Sequence, residues 1–275
     1  MNHNHDNRKR IFSEIISLEA WHDAFSEEAS QVSLHADVVF SEGRVGGESE
    51  AKVRFKLSIE RAELIIIVPE AEPLSIDRST VSRDDIAIEG KKVSRSDFES
   101  HKNIAANSKI ELSPSAAKFS LDSELGGGVS SNTHNFLETT EVVRRIRVQQ
   151  KLTPDNNYKW DMQPGMTGPL EGRPWDAVKE PRLSLIDTRK DRKKGIPPVV
   201  RIEVRCRRED LKISNIELKD KSSWKSLVVR ENFRNKIIAA EAYIRDRLSS
   251  EDLEFSNISD PFGEITIARV FAESN

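Results

Sequence analysis

VRFKLSIERAELIII (residues 53–67) and VRIEVRCRREDLKIS (residues 200–214) are one device written twice. Val53/Val200, Arg54/Arg201, Arg61/Arg208, Leu64/Leu211 and Ile66/Ile213 coincide, and Phe55/Ile202, Leu57/Val204 and Glu63/Asp210 are similar. Each copy alternates apolar and polar residues, breaks at a charged tip (61–63 in the first, 207–210 in the second) and resumes an apolar run. Side chains of a strand point alternately to its two faces, so this pattern reads as a half-buried strand, a tight turn and a second strand. Working outward, the chain is expected to be mainly β (α+β): two tandem β-sandwich-like domains related by the duplicated hairpin, each with an accessory amphipathic helix.

The length of 275 residues supports two domains, at about 100–200 residues each. No window holds the roughly 18 consecutive apolar residues of a spanning helix, so a membrane role is not expected. Residues 1–10 (MNHNHDNRKR) read as a disordered leader without the apolar core of a secretory signal. The single cysteine, Cys206, leaves no internal disulfide and points to a reducing, cytoplasmic home. It stands at an apolar-parity position, opposite Ile59 of the first copy, and reads as a buried hydrophobe. His3 and His5 are two ligands in a mobile segment, which is no preformed metal site. Neither a metal nor a cofactor is expected.

The net charge of -3 hides an uneven distribution: residues 1–140 sum to -8, 141–240 to +10 and 241–275 to -5. Domain 1 is placed at 11–123, opening with an amphipathic helix that ends near Glu28, in which Ile11, Ile15, Leu18 and Phe25 recur at helical spacing. Strands follow at 32–40, in the hairpin, around Val81 and 86–88, and at 109–112 and 117–121. Residues 124–140, with Gly126, Gly127 and Gly128 ahead of Ser130 and Ser131, read as a flexible linker. Domain 2 (141–275) opens on a strand at 141–152. It then carries a long Pro/Gly loop at 153–182, strands at 182–187 and 199–206, the second hairpin, a helix at 232–248 capped by Asn232, and a last strand at 264–272. EDLEFSNI (251–258) echoes EDLKISNI (209–216), so an acidic residue followed by Leu, as in Glu63-Leu64, reads as a turn-to-strand device.

The chemistry-bearing residues cluster in domain 2. Arg189, Lys190, Arg192, Lys193 and Lys194 with Arg207 and Arg208 would form a basic patch if the 188–195 loop and the second tip share one end of the sheet. Arg144, Arg145 and Arg147 add a third basic group. Such a patch engages an acidic protein surface or phosphates, or is a solvated charged face. Tyr158, Trp160 and Trp175 in the long loop would stack bases if exposed beside it, and would anchor the loop if buried. Asp210 followed by Glu217-Leu218-Lys219 resembles the Asp, Glu-x-Lys pattern of restriction-endonuclease-like nucleases. That resemblance implies two carboxylates on a divalent metal and a Lys assisting a water; the turn device accounts for Asp210 without a metal. No hydrolase triad or glycine-flanked nucleophile elbow stands out. The expected function is a non-catalytic interaction or assembly module of a cytoplasmic, bacterial-type system, contacting a protein partner or self-associating through acidic domain 1 and basic domain 2. Nucleic-acid binding through the basic patch is the alternative, and a metal-dependent nuclease the third reading.

Overall fold

The computed structural model describes residues 8–48, 51–83, 86–99, 134–174, 181–191, 197–218 and 233–274. The strands are β1 (Arg8–Arg10), β2 (Ile16–His22), β3 (Gln31–Phe40), β4 (Gly43–Gly46), β5 (Val53–Ile59), β6 (Ala62–Ile67) and β7 (Leu74–Asp77). Next come β8 (Ile86–Glu99), β9 (His134–Leu152), β10 (Tyr158–Pro164), β11 (Leu183–Asp187), β12 (Val200–Arg207), β13 (Leu211–Leu218) and β14 (Glu264–Ser274). The helix among the described residues is α1 (Phe233–Ser250), at the position its apolar spacing predicts, with Ala240, Ile244 and Leu248 buried. Asn232, its expected cap, lies outside the described residues.

The fold is mostly β, and the repeat organises it in a way its local pattern does not reveal. The arms of each copy do not hydrogen-bond to each other. β5 belongs to a three-stranded sheet in the order β13-β5-β4. β6 belongs to a curled mixed sheet of eleven strands, β7-β11-β3-β2-β14-β12-β6-β10-β9-β8, with β1 on β14. Pairing runs between the copies. β6 lies antiparallel to β12, with Leu64 opposite Val204 and Ile66 opposite Ile202. β5 lies antiparallel to β13, with Ile59 opposite Leu211. Each tip is therefore an arch that carries the chain from one sheet to the other. The tips interlock: Glu60 N donates to Asp210 O (2.8 Å) and Arg61 Nε to Asp210 Oδ1 (2.6 Å).

This corrects the expected tandem arrangement. Strands of the 11–123 stretch pair with strands of the 141–275 stretch: β3 and β7 with β11, β2 with β14, and β6 with both β10 and β12. The chain divides instead into a unit of residues 1–90 with 143–275 and a unit of residues 91–142. The second unit holds residues 91–99 of β8 and 134–142 of β9. The expected linker at 124–140 is strand from His134 onward. Gly126 to Gly128 and the expected strands at 109–112 and 117–121 lie outside the described residues.

Three further expectations are corrected. The segment read as the first helix is the strand β2, which buries Ile16, Leu18 and His22 on one face and pairs along its length with β3. Ahead of it, Ile15 N and Ile16 N both bond to Phe12 O, so Ile11, Phe12 and Ile15 occupy one turn. A single turn followed by an alternating strand reproduces the i, i+4 spacing of a helix stripe. The leader ends earlier than expected, since Arg8–Arg10 pairs with Val270, Arg269 and Ala268. The expected loop at 153–182 contains β10, an internal strand of the large sheet. Farther on, that loop is pinned by Leu170 N to Ile59 O (2.6 Å) and by paired bonds between Gly172 and Phe40.

The core follows strand parity. Leu64 and Ile66 of β6, Val200, Ile202, Val204 and Cys206 of β12, and Trp160 and Met162 of β10 belong to one apolar cluster with Phe55 and Leu57 of β5. Each fully buried large aliphatic contributes about 1.5–3 kcal/mol. α1 lies against β5 and β13, and its Tyr243 stacks on Phe12 (6.0 Å) and meets Phe55 edge-on (5.8 Å).

Candidate functional site: the outer face of the large sheet

The even positions of β12 enter the core, so Arg201, Glu203, Arg205 and Arg207 share the opposite face. Register extends this face into rows across the sheet. Arg201 stands between Ile67 of β6 and Phe271 of β14; Glu203 between Ile65 and Arg269; Arg205 between Glu63 and Thr266. On β10 the same parity presents Lys159 and Asp161, opposite Ile65 and Glu63.

Glu203 is 0% exposed although it points away from the main core. A lone buried carboxylate is costly, and it persists here because guanidinium groups surround it. Oε2 accepts from Arg205 Nε (2.9 Å) and Nη2 (2.6 Å), and Oε1 accepts from Arg269 Nε (2.9 Å). Arg201 Nε comes within 3.4 Å of Oε1 without a hydrogen bond and is itself buried with no acceptor. Three arginines thus share one buried carboxylate. The further acids, Glu264 at 3.9 Å from Arg205 and Glu254 at 3.0 Å from Arg269, are largely exposed.

Around this cluster a cleft of about 610 Å³ opens between the second tip, β6, β10, β12 and the turn at 153–157. Its cations are Arg61, Lys159, Arg201, Arg205 and Arg207. Glu63, Asp155, Asp161, Glu209, Asp210 and Glu264 stand among them, with Ile65 and Ile67 on the floor. Lys159 bonds Glu63 (2.6 Å) and lies 3.4 Å from Asp161, which Lys151 also pairs. Burial lowers the Lys159 pKa, but the bond and attraction to Glu63, helped by Asp161, outweigh it and leave it raised. Arg61 is raised by its hydrogen bond to Asp210. The ammonium and guanidinium therefore stay charged.

The expected basic patch is divided. Arg189 grips the buried Asp187, donating from Nε to both carboxylate oxygens (3.1 and 3.0 Å) and from Nη2 to Oδ2 (2.7 Å); that bond raises its pKa. Thr188 bonds Pro73, and Glu72 accepts from Val199 N, so this segment lies at the start of β12. Arg207 ends β12, seven residues along, about 23 Å away at 3.3 Å per residue. Arg208 bonds Leu211 O (2.9 Å) and Glu241 of α1 (2.7 Å), fixing the tip to the helix. Arg207 is exposed beside Glu209. Lys190 is exposed; Arg192, Lys193, Lys194 and Trp175 lie outside the described residues. Trp160 is buried, its Nε1 donating to Ser82 O (3.0 Å), and Tyr158 packs half-buried against the core, so neither presents a stacking face.

Asp210 and Glu217 stand near opposite ends of β13, so this pair does not converge as a nuclease-like metal site would require. Lys219, His3 and His5 lie outside the described residues, among which no cluster of three or more His, Cys, Asp or Glu is placed to hold a metal. Cys206 is buried, and burial pushes its thiol up, which keeps it protonated and unreactive. His35 stacks on Trp21 at 5.4 Å, and the buried His22 faces the carbonyls of Asp23 and Pro198.

Sequence reasoning missed Lys159, Glu203 and Ile67. The parity of Arg201, Glu203, Arg205 and Arg207 was readable as a charged face, but not that a carboxylate on it would be buried.

No family model matches the chain, and no curated protein matches it. Among solved structures it is similar to the crystal structure of the Clostridium perfringens NetB toxin in its membrane-inserted form, at 8% identity over 69% of this chain and 84% of that one. The TM-score is 0.26, at which a likeness carries no argument about fold or function. Among the described residues no helix is long and apolar enough to cross a membrane.

Proposed function

We propose that the chain is a non-catalytic interaction module of a cytoplasmic multi-protein assembly, receiving an extended segment of a protein partner in the cleft over β6, β10 and β12. The observation that carries the reading is the lining: cations and carboxylates interleave around the floor of Ile65 and Ile67. Alternating charge over an apolar floor suits a mixed polypeptide segment better than a polyanion, which favours a field of one sign. The cytoplasmic part rests on the lone, buried Cys206.

Self-association through opposite charges loses some of its force. Acidic and basic stretches already meet inside the chain, as in Lys159 with Glu63, Lys212 with Glu60, and Arg173 with Asp37. The test is to pan a displayed peptide library on the whole chain and recheck recovered peptides against Ile67→Glu and Lys159→Glu. Peptides that mix acidic and apolar residues, and that bind the wild type but not the variants, support the cleft. Peptides that bind the variants equally well, or an empty selection, overturn it. Steeply salt-dependent retention of single-stranded nucleic acid in a parallel assay would move the function to the nucleic-acid class, and a concentration-dependent mass in light scattering at low salt would move it to self-assembly.

A further inference from the structure

We infer that the Arg201–Arg205 corner of the cleft is a carboxylate subsite, taking an acidic side chain of the docked segment. The inference rests on the cleft reading above and deepens it. Glu203 does not satisfy Arg201: Oε2 accepts from Arg205 and Oε1 from Arg269, and Arg201 Nε stands 3.4 Å from Oε1 without a hydrogen bond to it. Arg201 Nε is left buried without an acceptor, which is costly for a charged donor. The side chain nevertheless lines the cleft and remains about a third exposed.

The local charge is in surplus in the same sense. Arg201, Arg205 and Arg269 face one buried carboxylate, and the acids that balance the others are on the surface. A second carboxylate entering from the cleft meets the exposed part of the Arg201 side chain and offsets the surplus. Planar, forked donors of this kind match a carboxylate. Ile67 is the cross-strand neighbour of Arg201 and also lines the cleft. The docked segment therefore carries an acidic residue with an apolar one two positions away, on the same face of an extended chain.

The experiment follows the arginine Nε–Hε signals of the full chain by NMR, with Arg201 assigned from Arg201→Gln. The probes are acetyl-Leu-Ser-Glu-Ser-Leu-amide, its Gln counterpart, acetyl-Leu-Ser-Leu with a free terminal carboxylate, and inorganic phosphate. The Glu peptide should shift the Arg201 signal saturably, and the Gln peptide should bind at least about tenfold more weakly. Arg201→Gln should weaken the Glu peptide by a similar factor while moving the urea midpoint by no more than about 0.5 M.

Equal binding of the Glu and Gln peptides, or no saturable shift, overturns the subsite. A stronger response to the free-acid peptide or to phosphate overturns the side-chain source. If peptides selected on the cleft are lost with Ile67→Glu but keep their affinity for Arg201→Gln, the subsite falls and the cleft reading stands. If the selection itself is empty, the cleft reading falls first.

Discussion

Glu203→Gln isolates a fully buried carboxylate surrounded by guanidinium groups. The substitution preserves shape but removes the charge that three guanidinium groups surround, and it aims an amide donor at groups that can only donate. Breaking a buried ion pair from one side costs about 3–5 kcal/mol, because the remaining charge stays buried and uncompensated. With a urea dependence of roughly 2–3 kcal/mol per M, the midpoint should fall by about 1–2 M. Arg201→Gln is the internal control: both carboxylate oxygens keep their partners, so the loss should be about 0–1 kcal/mol. Equilibrium urea unfolding followed by tryptophan fluorescence measures both. Buried pairs are screened little by salt, so the Glu203→Gln defect should persist at high ionic strength. A loss below about 1 kcal/mol, or one that disappears in salt, would refute the account of Glu203 as a buried charge held by its neighbours.

Other outcomes can be checked on the same protein. Trp160→Ala should cost about 3–5 kcal/mol in urea, since a fully buried indole is removed from the apolar cluster. Trp160→Phe should lose less but strand the Ser82 carbonyl, at about 1–3 kcal/mol. The Tyr243 phenol is pushed up to about 12 from 10.0, mainly by burial and then by its bond to Glu48. The folded state therefore holds a proton that the unfolded state releases. This contribution is complete below pH 10.0 and is lost as pH rises toward about 12. The stability difference between wild type and Tyr243→Phe should shrink over that window; a constant difference would contradict it. Cys206 should resist thiol reagents until the chain unfolds, so its labelling rate should track denaturant, whereas rapid labelling in the native state would contradict its burial.

The sequence determined which residues are inside. Alternation at Phe55, Leu57, Leu64 and Ile66, and at Ile202, Val204 and Cys206, reports the buried face of a strand, and those residues are buried. Ala240, Ile244 and Leu248 likewise mark the buried stripe of α1. The likeness of residues 53–67 to 200–214 also identified the element around which the fold is built. Alternation does not name the partner strand. A hairpin and an arch share the same local pattern, and only the surrounding strands decided that β6 joins β12 and β10 while β5 joins β13 and β4. β6 is apolar on both faces from Leu64 to Ile67, which marks a well-buried strand but does not name its neighbours.

The candidate site was less legible for the same reason. Arg205 and Arg207 were visible as cations, but Arg189 and Arg208 are committed to Asp187 and Glu241, and those partnerships depend on loops and a helix meeting in space. Lys159 and Asp161 were hidden in a stretch whose prolines and glycines masked the alternation of β10. The burial of Glu203, and the unpartnered donor it leaves on Arg201, follow from three strands being placed side by side. Hydrogen-bond partners in a sheet are non-local, so a chain can specify its faces residue by residue while leaving their neighbours to the tertiary fold.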